Sequence, residues 1–294
     1  MKVITHSRNV HEIFLTKEED QIAMLSDIHW DNPKCDWDLL TRDLDYCLEN
    51  SIPIMLNGDT FCLMQGKWDP RGNKSDIRPE HNSINYLDSI VQTAVEFFKP
   101  YAHLITVVGY GNHETSILKR HETDVLRRFV DLLNITCGTN VQTGGYGGWL
   151  IIKREIRKGY IVSYKGKYFH GSGGGGIVTR GEINLTRALE MYEDFDFFLM
   201  GHIHENKCTN VSRDSLKHNS VKGYFAEHRQ IHLAITGTYK EEYKDGFQGW
   251  HIERGAPPKP VGGRLLKFAE RRIISSKDGT DQILKRVDSS SFPI

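Results

Sequence analysis

Short apolar runs alternate with amphipathic stretches through the first half of the chain. The runs of strand length are QIAML (21–25), IPIML (52–56) and LITVVGY (104–110). Apolar residues at helical spacing predict helices over 36–50, over about 84–98 and near 119–134. This alternation is typical of βαβ units around a largely buried sheet.

From about residue 148 the pattern changes to shorter strands, which predicts a mainly β second half with one helix near 182–193. The predicted strands are WLII, YIVSY, KYF, DFFLM and IHLAIT. The stretch GAPPKPVGG (255–263) is typical of a linker or surface loop, and the segment after it predicts a last strand or an arm. We therefore expect one catalytic domain over 1–254 and a C-terminal extension over 255–294 that packs on or beside it.

Composition excludes several classes of protein. The 294 residues include 38 Lys and Arg and 38 Asp and Glu, so the formal net charge is zero, unlike proteins that bulk charge holds to nucleic acid. No apolar run is long enough to predict a signal peptide or a membrane span. The five cysteines are odd in number and contain no CxxC pair. These features favour a cytoplasmic protein without a membrane partner, and they do not indicate an oligomeric state.

Polar residues with metal-binding side chains follow nearly every predicted buried strand. They are Asp27 and His29, then Asn57 and Asp59, then Asn112, His113 and Glu114, then His170, and finally His202 and His204. The carboxyl ends of strands in an open α/β sheet form the crevice in which ligands bind. We therefore expect these side chains to meet in one place.

Asp, Asn and neutral His side chains together suit Mn²⁺, Fe, Zn²⁺ or Ni²⁺ better than Ca²⁺. The side chains are too many for one ion. Two ions ~3.5–4 Å apart that share one carboxylate would use them all and would suit displacement at phosphorus. The pattern therefore predicts two divalent transition-metal ions per chain, with Mn²⁺ favoured.

The ordered motifs DIH, GD, GNHE, a single His and GHIH resemble those of the calcineurin-like metallophosphoesterase superfamily over residues 21 to about 240. The resemblance implies two packed mixed β-sheets flanked by α-helices, an α/β sandwich. It implies one ion held by Asp27, His29, Asp59 and His204, and a second held by Asp59, Asn112, His170 and His202. His113 would be the general acid, with Glu114 or Asp31 as orienting groups.

The second motif departs from the family pattern. It reads GDTFC, so Cys62 stands where that family has an acidic or amide residue. We expect the surroundings of Asp59 and His113 to differ for this reason, with Asn57 or a residue of the following loop taking over the missing hydrogen bond.

Three segments could select the substrate. The loop over 65–81 carries Arg71 and Arg78 and is either a lid that grips phosphate or a surface loop with internally paired charges. The glycine run after His170, with Arg180 nearby, is either an anion-binding nest or a flexible loop. The basic stretch 153–167 either follows a phosphate backbone or is an exposed hairpin whose lysines block edge pairing.

The resemblance implies hydrolysis of a phosphoester by a hydroxide that bridges the two ions. We expect a phosphodiesterase that acts on nucleic acid or nucleotides, such as a nuclease. The alternatives are a phosphomonoesterase, including a phosphoprotein phosphatase, and a non-catalytic binding module. The stretch GNHETSILKR contains only Arg120, whereas two successive arginines are expected in a phosphoprotein phosphatase of this superfamily.

Overall fold

The computed structural model describes residues 2–64, 69, 72–220, 223–243, 250–253, 255–274 and 281–293. The strands in these ranges are β1 (Val3–Ser7), β2 (Val10–Leu15), β3 (Gln21–Leu25), β4 (Ile54–Asn57), β5 (Ile105–Gly109), β6 (Gln142–Thr143), β7 (Gly147–Arg157), β8 (Tyr160–Phe169), β9 (Phe197–Met200), β10 (Lys207–Asn219), β11 (Gly223–Ile235), β12 (Arg264–Ile274) and β13 (Asp281–Ser290). The α-helices are α1 (Trp37–Glu49), α2 (Tyr86–Phe98), α3 (Asn112–His121), α4 (Val125–Cys137), α5 (Glu182–Met191) and α6 (Trp250–Glu253).

The strands form two mixed sheets. One has six strands in the order β13-β12-β3-β4-β5-β6, in which β3 to β6 are parallel and β12 is antiparallel to β3. The other has seven strands in the order β1-β2-β7-β8-β9-β11-β10. The segment after residue 255, expected as an extension, thus contributes two strands to the six-stranded sheet.

The two sheets pack face to face, and helices cover their outer faces. Alternation along β3 places Ile22 and Met24 between the sheets and Ala23 and Leu25 against α1, α2 and α4. In the same way, β9 places Phe197 and Leu199 between the sheets and Phe198 towards α5. The predicted class, two packed mixed sheets flanked by helices, is confirmed.

Three local predictions were wrong. The helix expected near 119–134 is the two helices α3 and α4, because Glu122 adopts a left-handed backbone (φ 52°) and Asp124 caps α4. Ile84 is fully exposed, so α2 begins after it, at Tyr86. The expected short strands YIVSY and KYF are one strand, β8. Gly166 between them is not a turn residue, since a Cβ there would lie 2.1 Å from the ring of Phe197.

No helix within the described ranges has both the length and the apolar character needed to cross a membrane.

Candidate metal centre

The loops after the strands of both sheets meet at one edge of the sandwich. Asp27 N donates to Gly58 O (3.1 Å) and His29 N donates to Asp59 O (3.0 Å), which joins the loops after β3 and β4. His202 N, in the loop after β9, donates to Asp27 Oδ2 (2.8 Å). The carboxylate of Asp27 therefore links the six-stranded sheet to the seven-stranded one.

Backbone strain is concentrated at the predicted metal ligands. The ligands with a left-handed backbone are Asp27 (φ 53°), His29 (φ 49°), Asp59 (φ 48°), His202 (φ 68°) and His204 (φ 56°). Such conformations cost ~1–3 kcal/mol each outside glycine and cluster at active and binding sites. The pattern indicates that these loops are shaped by the side chains they present.

Two glycines let the loops approach this closely. A Cβ on Gly111 would lie 2.0 Å from Asp59 Oδ1, and a Cβ on Gly201 would lie 2.0 Å from Ser26 Oγ. Neither space can accept a methyl group without moving a neighbour. Gly111 and Gly201 are thus needed for the close packing of the loops at the centre.

The first group of side chains consists of Asp27, His29 and His204. One ligand atom from each lies within 4.8 Å of the other two. Asp27 Oδ1 and His204 Nε2 are 3.2 Å apart. The Ser26 hydroxyl contacts the other carboxylate oxygen of Asp27 at 2.6 Å and fixes its orientation.

The second group consists of Asp59, His170 and His202, again with ligand atoms within 4.8 Å of one another. Asp59 Oδ2 lies 3.3 Å from His170 Nε2. Asn112 joins this group, because its Oδ1 lies 2.8 Å from His202 Nδ1 and 3.2 Å from His170 Nε2. The seven candidate ligands thus lie in two neighbouring groups, and Asp59, which the resemblance assigns to both ions, is grouped here with His170 and His202.

The environment of the buried His29 ring indicates whether these residues suit a metal ion. The residue is 2% exposed, and neither ring nitrogen has a hydrogen-bond partner among the described residues. Leaving a buried polar atom unpaired costs ~1–3 kcal/mol. Burial also lowers the pKa of His29 well below its usual value, so the ring is neutral and offers a lone pair. A divalent ion fits this donor set.

The charges of the second group also suit a cation. Burial opposes protonation of His170, yet Asp59 and Asp27 raise its pKa to about 10. Burial likewise opposes ionisation of Asp59, but His170 and His113 hold its pKa well below the usual value. The negative charge of Asp59 and Asp27, which favours a proton on His170, would equally favour a cation bound at its Nε2. His170 Nδ1 donates to the Asn57 carbonyl at 2.9 Å, which points Nε2 towards Asp59.

His113 lies at the edge of the two groups, with its side chain 13% exposed. Its Nδ1 contacts the carbonyl oxygen of Cys62, and its Nε2 lies 3.9 Å from Asp59 Oδ2. The hydrogen bond expected from Asn57 or the following loop is therefore replaced by the main chain of Cys62 itself. Asn57 instead supports His170.

Asp31 and Glu114 accept hydrogen bonds from backbone N–H groups around His113. Asp31 accepts from Cys62 N and from Leu63 N (2.9 Å), so it holds the peptide that His113 contacts. Glu114 accepts from the backbone N–H groups of Gly111 (2.8 Å), Asp59 (3.1 Å) and Phe61 (3.0 Å). Burial and the charge of Asp59 raise the pKa of Glu114 to about 8. Both carboxyl groups position the loops that carry the centre.

The predicted substrate-binding arginines do not form a cluster in the described structure. Arg71 lies outside the described residues. The guanidinium of Arg78 lies 4.0 Å from the ring of Trp37 and pairs with Glu80, which gives it a structural role in its loop. Arg180 is exposed in the turn that precedes α5.

The basic stretch 153–167 forms the hairpin of β7 and β8, with its turn at the end of β8 opposite to His170. The 10 residues of β8 separate that turn from His170 by roughly 30 Å. Lys153 pairs with Glu12 at 2.9 Å, and Arg154 pairs with Glu270. These contacts favour a structural role for the hairpin charges.

Sequence reasoning missed several supporting residues. Ser26, next to Asp27, carried no signal beyond its position. Tyr146 donates to Gly171 O at 2.8 Å, and its ring lies 5.4 Å from that of His170. Lys240, far along the chain, acts electrostatically on His29 and pairs with Glu242 at 2.6 Å. Only the tertiary structure brings Tyr146 and Lys240 to the centre.

Comparison with solved structures finds chains that share some of this layout. Vps29 from Chaetomium thermophilum is 8% identical, and the match covers 94% of this chain and 100% of that chain at a TM-score of 0.36. GAP50, described as the anchor in the inner membrane complex of Plasmodium, is 10% identical, with 91% of this chain and 90% of that chain covered at a TM-score of 0.38. No family model and no curated protein matches the chain.

Proposed function

We propose that this protein is a phosphoester hydrolase of the metallophosphoesterase type that works with two divalent metal ions. One ion would be held by Asp27, His29 and His204, and the second by Asn112, His170 and His202. Asp59 would serve both. The observation that carries the proposal is the arrangement of carboxylates and imidazoles in two groups, each with ligand atoms within 4.8 Å of one another.

The donor set supports transition metals. Neutral imidazole favours borderline ions, while the carboxylates and the amide oxygen of Asn112 favour harder ones. We propose Mn²⁺, with Fe, Zn²⁺ and Ni²⁺ as alternatives. Two bound ions of this kind lower the pKa of water and neutralise the charge that develops during displacement at phosphorus.

His113 would supply the proton for the leaving group. Its Nδ1 faces the Cys62 carbonyl, which can only accept, so Nδ1 carries a proton and Nε2 is the atom that exchanges one. Its side chain is 13% exposed, whereas that of His170 is fully buried. Among the two rings that contact Asp59, His113 is therefore the one that a substrate can reach.

The charges around the centre support a singly charged diester as the substrate. Arg120 is seven residues beyond His113 on α3, about 10 Å away along the helix. Lys240 is paired with Glu242, so it adds little net positive charge. A doubly charged monoester would need a free cation that neither residue supplies. We propose a phosphodiester of a nucleotide or nucleic acid, and a phosphomonoesterase is the alternative.

The test compares bis-p-nitrophenyl phosphate with p-nitrophenyl phosphate on Mn²⁺-loaded protein, with chelated protein as the control. Single- and double-stranded DNA and RNA follow on the same preparation. We expect faster, metal-dependent hydrolysis of the diester. Preference for the monoester would favour the phosphomonoesterase, and inactivity on every substrate with two ions bound would contradict an enzymatic function.

A further inference from the structure

Cys62 belongs to neither of the two ligand groups, yet its sulfur faces the centre. The residue is fully buried. Its ligand atom forms a third group with one atom each of His29 and His113, all within 4.8 Å of one another. The third group shares His29 with the first group and includes the proposed proton donor.

The sulfur of Cys62 accepts a hydrogen bond from a side chain that is itself held in place. Asn32 Nδ2 donates to Cys62 Sγ at 3.2 Å, and Asn32 is itself oriented by a hydrogen bond from Lys34 N to its Oδ1 (2.9 Å). Burial raises the pKa of the Cys62 thiol and the ammonium group of Lys240 offsets this rise only in part, so the thiolate would form together with the cation that it binds. Hydrogen bonds of this kind orient a metal ligand and tune its affinity.

The unpaired ring of His29 can serve an ion bound at Cys62 in place of one bound at the first group. Both of its ring nitrogens lack a hydrogen-bond partner in the described part of the chain, although the residue is 2% exposed. Its ring centroid lies 4.8 Å from that of His113 and 5.7 Å from that of His204. The ring of His29 thus belongs to both the first group and the third group.

We propose that His29, Cys62 and His113 form a third cation site that is selective for thiophilic ions such as Zn²⁺ and Cd²⁺. Thiolate and imidazole favour these ions over Mn²⁺. On binding, the Cys62 thiol loses its proton to solvent and the sulfur donates its electron pair to the ion. No bond breaks other than S–H, and no oxidant is needed.

Occupation of the third site would inhibit the enzyme. A neutral imidazole has one lone pair, so His29 can serve only one ion at a time. A thiophilic ion at Cys62 would therefore compete with the first ion for His29 and would bind the ring of the proposed proton donor, His113. This consequence rests on the proposed function, whereas the existence of the site does not.

The binding test is a Cd²⁺ titration of the metal-free full-length protein, followed by the thiolate-to-cadmium charge-transfer absorption in the ultraviolet. Wild type should develop this absorption with the first equivalent of Cd²⁺, and Cys62→Ser should lose it. Cys47→Ser is the matched control, because Cys47 is also fully buried but lies on α1 in the helix-covered core. It should behave as wild type does.

Mn²⁺ content shows whether Cys62→Ser has kept a folded centre. If the centre of Cys62→Ser is not folded, the Cd²⁺ affinity of His113→Asn tests the proposal instead. This variant removes a nitrogen of the third group and should bind Cd²⁺ more weakly. An unchanged absorption in Cys62→Ser with a folded centre, an unchanged Cd²⁺ affinity in His113→Asn, or no absorption in wild type would overturn the proposal.

The inhibition test uses Mn²⁺-loaded protein and a diester substrate. Cd²⁺ should inhibit wild type and Cys47→Ser at the same concentration, and Cys62→Ser should keep a larger fraction of its own activity. Equal sensitivity would contradict inhibition through this site. If wild type proves inactive on every substrate, the proposed function fails, and the absorption measurement still decides whether the site exists.

Discussion

The ring of His113 is oriented by a backbone carbonyl, that of Cys62, rather than by a carboxylate. Asp31 holds the same peptide from its other side by accepting a hydrogen bond from Leu63 N (2.9 Å). The main chain thus takes over the role expected of a side chain at position 62. His113 Nε2 is left facing the metal centre, 3.9 Å from Asp59 Oδ2.

His113→Asn should separate proton delivery from metal binding. An alkoxide leaving group needs a proton, so kcat/KM on an alkyl diester should fall by the ~10²–10⁴-fold typical of general acid catalysis. A p-nitrophenolate leaving group is a stable anion and should lose much less. The measurement is kcat/KM on two diesters that differ only in leaving group, with metal content determined in parallel.

His103→Asn is the control for this experiment, because His103 is exposed in the loop before β5. It should leave both rates unchanged. Equal losses on the two diesters in His113→Asn would indicate that His113 stabilises phosphate charge instead. Loss of a metal ion from that variant would indicate that His113 is a ligand.

Gly111→Ala should disrupt the metal centre by placing a methyl group on the backbone next to Asp59. The added methyl group would lie 2.0 Å from Asp59 Oδ1 and 2.3 Å from Asp59 N, so the carboxylate must move. We expect a loss of bound metal and ~1–3 kcal/mol of destabilisation from overpacking. Metal content and urea denaturation of the metal-free protein measure the two effects separately.

Gly174→Ala is the matched control, since a Cβ there meets no atom of the described residues within 4 Å and its φ lies outside the left-handed range. Its metal content and stability should match those of wild type. A Gly111→Ala protein that binds metal as well as Gly174→Ala would show that the loops are not packed as described.

The convergence of the candidate ligands could be predicted from sequence because they follow the ends of buried strands. Strands that end at one edge of a sheet bring the next residues together, so Asp27, Asp59 and His202 needed no knowledge of long-range packing. The continuity of β8 through Gly166 could not be predicted, because a glycine required by a neighbouring ring looks the same in sequence as one required by a turn.

The roles of the charged residues could not be predicted, because their partners are distant in sequence. Arg154 and Glu270 are separated by 116 residues and meet only when β12 joins the sheets. Arg78 stacks on Trp37, which belongs to another element. Local charge patterns showed which residues were basic and did not show what would pair with them.

Arg154→Ala should destabilise the fold without affecting catalysis. The side chains of Arg154 and Glu270 are 14% and 9% exposed, and removal of the arginine leaves a largely buried carboxylate without its counter-charge. We expect ~3 kcal/mol of destabilisation in urea denaturation, as for other buried pairs that lose one partner. The rate on a small diester should be unchanged, because the hairpin lies far from His170.

Lys158→Ala removes an exposed charge from the turn of the same hairpin and should change neither stability nor turnover. Its effect on polynucleotide binding distinguishes the two interpretations of the hairpin. If the hairpin follows a phosphate backbone, the variant would reduce the salt dependence of binding by about one released counterion. An unchanged salt slope is the result that the structure predicts.

Two metal ions that share Asp59 should be detectable in the number of ions bound per chain. The measurement is equilibrium dialysis against Mn²⁺ with elemental analysis of wild type and Asp59→Asn. We predict two ions per chain in wild type and a loss of affinity at both positions in Asp59→Asn, because an amide cannot offer negative charge to two cations. One ion per wild-type chain at saturation, or two ions held as tightly by Asp59→Asn as by wild type, would contradict a shared role for Asp59.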